Sequence, residues 1–126
     1  FIFQNETLLR LPSANYERYG LDELSHVADF NDTRYENDST GFPALQENWE
    51  AVIAVPTFEN RELTEVALYP IDLGFRKPRS VRGRPILASA ELGEKIIGDL
   101  VRLSEPYGTV IKMRRGVGYV SLDERD

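Results

Sequence analysis

The most concentrated chemistry in this sequence is a run of positive charge between Phe75 and Pro85. The run contains two prolines, one glycine and no acidic residue. Its five cations are Arg76, Lys77, Arg79, Arg82 and Arg84. Guanidinium groups bind carboxylate and phosphate through paired hydrogen bonds, and prolines reduce the entropy lost when a loop is ordered. The segment therefore predicts an extended basic loop that binds an anion.

The charge of the whole chain makes this basic segment unusual. Fifteen Lys and Arg, five of them in this segment, oppose 21 Asp and Glu, which gives a net charge of −6 and a pI near 4.9. This overall sign disfavours nucleic acid as a partner. The anions that fit are a phosphoryl group, an acidic polymer such as polyglutamate, or an acidic face of another part of the same protein. The structural alternative is a solvated connector.

Other catalytic chemistry has few candidates. The chain has no Cys and a single His, His26, which removes disulfides, thiolate nucleophiles, zinc-thiolate sites and most catalytic triads. A lone His on a marginal helix is typical of a surface or hydrogen-bonded polar residue. The carboxylates of Glu59 and Glu62 fall in a predicted turn, where they favour solubility over acid–base catalysis.

The acidic N-terminal part contains a partial calcium-binding pattern. Asp29, Asn31 and Thr33 occupy positions 1, 3 and 5 of an EF-hand-like loop. The sixth position is Arg34 where glycine is needed, and the twelfth is Thr40 where a bidentate Glu is needed. The pattern therefore predicts a solvated acidic loop and no metal site.

The fold that positions these residues is predicted to be α+β. Residues 6–47 read as an irregular acidic arm, with one helical turn capped by Ser13 and ended by Gly20. A short amphipathic helix is expected over 21–28, because Leu21, Leu24, Ser25 and Ala28 follow helical spacing. The stretch 32–41 lacks any apolar period and is expected to be mobile.

Residues 48–126 are predicted to form a compact core with two antiparallel hairpins. Alternating apolar residues predict strands over 49–58 and 63–71, joined by the polar connection 59–62. Pro56 predicts that the first strand is an edge strand or ends there. Strands over 109–113 and 117–120 flank a turn at 114–116, and residues 123–126 form a charged, frayed tail.

The main helix is predicted over 89–104 and is expected to pack on the sheet. Ser89 is the expected N-cap, and Pro106 with Gly108 ends the helix. Gly93 and Gly98 cost helical stability, so they predict close packing against the first hairpin. The apolar stripe consists of Leu92, Ile96, Leu100 and Leu103, widened by Ile97 and Val101.

The chain begins with an apolar strand-like segment, Phe1–Ile2–Phe3, in place of a Met. We interpret the sequence as a fragment of a larger protein, which leaves the compartment open between the cell envelope and the cytoplasm. It has no apolar run of the roughly 20 residues that a membrane helix needs. Exposed strand edges would also allow a homo-oligomer.

Four segments, taken in order, resemble one known family. They are Phe1–Asn5, Glu65–Gly74, Arg82–Ala88 and Leu100–Thr109. This ordered set is similar to the C-terminal part of CapA-type capsule synthesis proteins. Those proteins are associated with bacterial poly-gamma-glutamate capsule synthesis and belong to the calcineurin-like metallophosphatase superfamily.

The resemblance implies that catalysis and substrate access belong to different domains of a longer protein. Residues 1–5 would be the last strand of an upstream catalytic domain, which carries the Asp, Asn and His ligands of divalent metal ions. The chain 1–126 would then be a single accessory C-terminal domain, without catalytic residues or cofactor of its own, that shapes access for an anionic substrate. The arm 6–47 matches no general pattern of the family. The alternative is a non-catalytic structural or protein-interaction module.

Overall fold

The computed structural model describes residues 11–122. The strand predicted over residues 1–5 and the frayed tail 123–126 lie outside this range. The chain divides into two compact units, with the boundary between Leu45 and Gln46. No helix within 11–122 has the length and apolar character needed to cross a bilayer.

The first unit is built from two short helices, α1 (Ser13–Arg18) and α2 (Val27–Arg34), followed by a 3-10 turn at Phe42–Ala44. Three aromatic rings hold it together. The ring centroids of Tyr16 and Phe30 are 5.7 Å apart, and Tyr19 meets Phe30 edge-on at 5.1 Å. Such tilted and edge-on pairs add to the free energy gained by burying the rings. The arm predicted to be irregular therefore contains regular structure.

The helices of this unit differ from those predicted. Pro12 is the N-cap of α1, so Ser13 is the first helical residue and makes no cap. The helix predicted over 21–28 is wrong: the Asp22 carboxylate accepts the N–H groups of Leu24 at 2.9 Å and Ser25 at 3.0 Å. Asp side chains that bond the following backbone favour turns over helices. Helix α2 begins after this turn, at Val27, and continues to Arg34. It therefore includes residues 32–34 of the stretch that was expected to be mobile.

The second unit is an antiparallel sheet with one helix. The elements in chain order are β1 (Glu50–Glu59), β2 (Glu62–Asp72), β3 (Ile86–Leu87), α3 (Ala90–Ser104), β4 (Ile111–Arg114) and β5 (Val117–Val120). The sheet has the strand order β1-β2-β5-β4, and the two-residue strand β3, which was not predicted, pairs with β2. This confirms the α+β class.

Both predicted hairpins are present, but their turns are tighter than expected. Glu59 and Glu62 are ladder partners, so only Asn60 and Arg61 form the first turn, at φ 50° and 72°. Arg115 and Gly116 form the second turn at φ 52° and 80°. Two positive φ angles match the twist of paired strands. Strand β1 continues through Pro56 to Glu59, at one edge of the sheet.

Helix α3 covers one face of the sheet. Ser89 caps it as predicted, because its Oγ accepts the Leu92 N–H at 3.3 Å. Ile97 is 1% exposed and clusters with Leu68 and Ile111. The predicted stripe is wrong at its end, where Leu103 is 58% exposed. Val101, which was predicted to widen the stripe, is also 40% exposed, so the last turn of α3 is less buried than its middle.

Two glycines set how closely α3 approaches the sheet. A Cβ on Gly118 would lie 3.0 Å from Ile97 Cδ1, and one on Gly93 would lie 3.2 Å from Pro70 Cγ. The close packing predicted for Gly93 against the first hairpin is therefore confirmed. It is wrong for Gly98, where an added Cβ would meet nothing within 4 Å.

We predict opposite effects for alanine at two of these glycines. Gly98→Ala should raise the free energy of unfolding by about 0.5–1 kcal/mol, because it adds helix propensity without a clash. Gly118→Ala should lower it by roughly 1–3 kcal/mol, because the new methyl group overpacks Ile97. Urea unfolding with unchanged m-values measures both. Equal effects of the two substitutions would contradict the packing described here.

Candidate anion-binding site

The basic loop, residues 75–85, is closed by backbone hydrogen bonds at its base. The Gly83 N–H donates to the Leu73 carbonyl at 2.7 Å, and the Leu73 N–H donates to the Trp49 carbonyl at 2.9 Å. Inside the loop, the N–H groups of Val81 and Arg82 both donate to the Pro78 carbonyl at 3.0 Å. The loop is thus a folded excursion from the end of β2.

Gly74 allows the two ends of the loop to approach each other. Its φ is +87°, and a Cβ there would lie 3.1 Å from Arg82 Cα. A side chain would be strained by this backbone conformation and would also meet backbone that cannot move aside cheaply. Glycine is therefore required at this position for the loop to close.

The Asp72 side chain stabilises the start of the basic loop. Its Oδ1 accepts the Gly74 N–H at 2.6 Å, and its Oδ2 accepts the Lys77 ammonium at 2.9 Å. The hydrogen bond from Lys77, followed by the one from Gly74, lowers the pKa of the Asp72 carboxyl. Lys77 was predicted to bind an anion, and the structure engages it in an internal ion pair.

Aromatic rings hold two of the arginines. The Arg82 guanidinium lies 5.4 Å from the Trp49 ring centroid, and the Arg76 guanidinium lies 5.0 Å from that of Phe75. Cation–π contacts of this kind orient a guanidinium without using its hydrogen-bond donors. The Arg82 contact joins the loop to the start of β1, whereas the Arg76 contact is with its chain neighbour.

The five predicted cations therefore divide into two groups. Lys77 and Arg82 hold the loop together, and Arg79 also makes contacts within the structure. Arg76 and Arg84 are exposed, and no ion pair joins Arg84 to any residue between 11 and 122. These two side chains are the ones best placed to contact a ligand.

A sixth cation, Arg115, lies near this end of the sheet and was not among the predicted site residues. Ala88, which follows β3, donates its N–H to the Pro70 carbonyl at 3.0 Å. Gly93 also packs on Pro70, and its Cβ position lies 3.9 Å from the Gly116 carbonyl oxygen. Gly93 thus lies between Pro70 and the turn that carries Arg115. These residues are far apart in the sequence, so no local pattern could have revealed this arrangement.

The other candidate residues do not form a site. The Asp29 carboxylate accepts the His26 N–H at 2.7 Å and so caps α2. His26, Glu59 and Glu62 are all exposed. Among residues 11–122, no three His, Cys, Asp or Glu side chains are grouped as a metal ion requires.

The chain is similar to segments of longer proteins. No family model matches it. It is 45% identical over 74 residues to the uncharacterized proteins y4sH and y4uA of Sinorhizobium fredii (strain NBRC 101917 / NGR234). The matched region is 59% of this chain and 16% of each relative. The chain thus spans a small part of the curated relatives it matches, and their names state no activity.

We predict that the Asp72 carboxylate stabilises the protein only while it is ionised. Its folded pKa is lowered, so its contribution is present above its unfolded pKa of about 3.9 and is lost as the pH falls through the folded value. Asp72→Asn should therefore cost about 1 kcal/mol at pH 7, and this difference should shrink toward pH 3. Urea unfolding at pH 7, 5 and 3 measures it.

Two further variants make this test specific. Lys77→Met should show a similar loss at pH 7, because it removes the same ion pair. The exposed Glu94→Gln is the matched control and should leave the pH dependence unchanged. A difference between the protein and Asp72→Asn that stays constant down to pH 3 would show that the ion pair is not the cause.

Proposed function

We propose that the chain is the C-terminal accessory region of a CapA-like protein implicated in poly-gamma-glutamate capsule biosynthesis. In this role it supports an upstream metallophosphatase domain and binds an anionic substrate through the basic loop. The observation that carries the proposal is the loop itself, which is folded on Asp72 and Gly74 and leaves Arg76 and Arg84 exposed.

The segments that resemble CapA proteins have related structural roles, which supports the proposal. Glu65–Gly74 includes most of β2 and the base of the loop, and Arg82–Ala88 includes the end of the loop and β3. Leu100–Thr109 includes the end of α3 and the 3-10 turn Glu105–Tyr107, which ends at Gly108, where φ is +67°. Two of these three segments therefore build or close the basic loop.

The match to longer relatives is also consistent with an accessory role. The region shared with y4sH and y4uA is a minor part of those proteins, so a homologous segment occurs in them beside much additional sequence. In our proposal the catalytic residues and their divalent metal ions belong to such additional sequence. The described residues would then contribute binding and shape without a catalytic group.

The chemistry of an exposed loop limits what it can bind. An ion pair at a solvent-exposed site contributes only about 0.2–1 kcal/mol, so one anionic group would be held weakly. A ligand with several carboxylate or phosphoryl groups gains from each cation that it meets, and a pre-folded loop loses little entropy on binding. An acidic polymer or a phosphorylated substrate fits these conditions.

A second candidate, a protein-interaction module, is favoured by the first hairpin. Strand β2 pairs with β5 only at Val66–Leu68, so the part of the hairpin nearer its turn extends beyond the rest of the sheet. Phe58 and its ladder partner Leu63 on this part are 63% and 41% exposed. Exposed apolar side chains on an edge strand are a template for binding another chain.

We predict that Arg76→Gln combined with Arg84→Gln will weaken binding of polyglutamate about five- to tenfold, because two exposed cations are removed without opening the loop. Titration calorimetry at fixed salt measures the dissociation constant, and urea unfolding should be unchanged. The matched control removes Arg61 and Arg102, two exposed cations outside the loop, and should bind as the original chain does. If both double variants bind equally well, the basic loop is not the site.

A paired assay tests the accessory role. We expect this chain alone to bind no transition metal and to hydrolyse no generic phosphoester, and a longer protein that includes the native upstream sequence to do both. In that longer protein, the Arg76 and Arg84 double variant should weaken substrate saturation. Unchanged kinetics with lost assembly would instead support the interaction module. Metal binding and turnover by the 126-residue chain alone would refute the accessory role.

A further inference from the structure

A groove of about 230 Å³ lies on the face of the sheet opposite α3. Gly118 packs against Ile97 of α3, so the adjacent Tyr119 faces away from that helix. Lys112 is the ladder partner of Tyr119 and shares its face. The residues that line the groove include Glu65, Lys112, Arg114, Tyr119 and Ser121.

The strand register places opposite charges on opposite walls of this groove. Val66 pairs with Val120, so Glu65 on β2 lies beside Ser121. Lys112 and Arg114 come from β4, on the other side of β5. Neighbouring strands lie about 4.8 Å apart, and Lys112 and Arg114 are two and four residues further along the ladder than Glu65. The backbone of Glu65 is therefore roughly 12 Å from that of Lys112 and roughly 16 Å from that of Arg114. Tyr119 and Ser121 lie between them.

The charges in the groove do not neutralise one another. Elsewhere in this unit, Lys77, Lys95 and Arg102 form ion pairs with carboxylates at 2.8–3.0 Å. Between residues 11 and 122, no ion pair joins Glu65 to either Lys112 or Arg114, although all three line the same groove. The Arg114 guanidinium lies 5.8 Å from the Tyr119 ring centroid, which orients it and leaves its donors available.

We propose that this groove binds a small zwitterion whose carboxylate and ammonium groups are separated by several carbon atoms. The carboxylate meets Lys112 and Arg114, and the ammonium group meets Glu65. A simple dianion such as phosphate fits less well, because the Glu65 carboxylate would repel it. The spacing of the walls disfavours a ligand whose two charges lie on adjacent atoms.

The acidic wall of this groove is far from the basic loop. Glu65 lies seven residues before Asp72 on β2, or about 23 Å along the strand. Residues at such a distance that share no partner contribute independently to binding. The inference therefore does not depend on the proposed function, and either can fail without the other.

Nuclear magnetic resonance titration of the 126-residue chain with 5-aminopentanoate tests the proposal. We expect millimolar binding with the largest amide shifts at Tyr119 and Ser121. Pentanoate and pentylamine each carry one of the two charges and should bind about three- to fivefold more weakly, because each loses one exposed ion pair. Shifts that occur elsewhere, or inorganic phosphate binding more tightly than 5-aminopentanoate, would overturn the proposal.

Two variants test which residues of the groove meet the carboxylate and the ammonium group of the ligand. Arg114→Gln should weaken 5-aminopentanoate and pentanoate alike. Glu65→Gln should abolish the preference for 5-aminopentanoate over pentanoate without weakening pentanoate. Arg61→Gln, an exposed cation in the first turn, is the matched control and should change neither affinity. A preference that survives Glu65→Gln would show that the ammonium group does not meet this carboxylate.

Discussion

The close approach of α3 to the sheet is the constraint on which the rest of the second unit depends. Ile97 lies over Gly118, and Gly93 lies over Pro70, at distances that leave no room for a further carbon on either glycine. This packing fixes the helix against the end of β2. The Pro70 carbonyl in turn accepts the Ala88 N–H, so the chain that leaves the basic loop returns to β2 one residue before the helix cap. The position of the loop therefore follows from the packing of the helix.

Electrostatic contacts attach the edge strand to the same helix. The Glu50 side chain is 9% exposed, and its Oε2 accepts the Lys95 ammonium at 2.8 Å while Lys95 also reaches Asp99 at 3.0 Å. The hydrogen bonds that Lys95 donates to Glu50 and then to Asp99 raise the pKa of Lys95. The buried Oε1 of Glu50 has no hydrogen-bond partner among residues 11–122, so this contact carries a desolvation cost. The ion pair between Glu50 and Lys95 holds the start of β1 on the helix, next to Trp49, whose ring packs against the Arg82 guanidinium.

The sequence was informative wherever a pattern is local and repeated. Helix α3 was predicted within one residue because its apolar spacing and its Ser89 cap agree. The short strand β3 has no period to recognise, and the first turn was predicted two residues too long because Arg61 adopts a positive φ that is uncommon for its residue type. For the candidate site, the sequence identified the charged segment but not the division of its cations. Lys77 and Arg82 are recognised as structural only once Asp72 and Trp49 are in place, and neither partner belongs to the segment.

The exposed part of the first hairpin and the basic loop lie at opposite ends of β2, and this separation bears on both candidate functions. Strand β2 has 11 residues and is about 36 Å long, so a partner bound near the turn would not need to touch the loop. A docking role for the hairpin and an anion-binding role for the loop are therefore compatible in one molecule. Because α3 fixes the loop end of β2 while leaving the turn end uncovered, the fold keeps the loop in a set position whether or not the hairpin is bound.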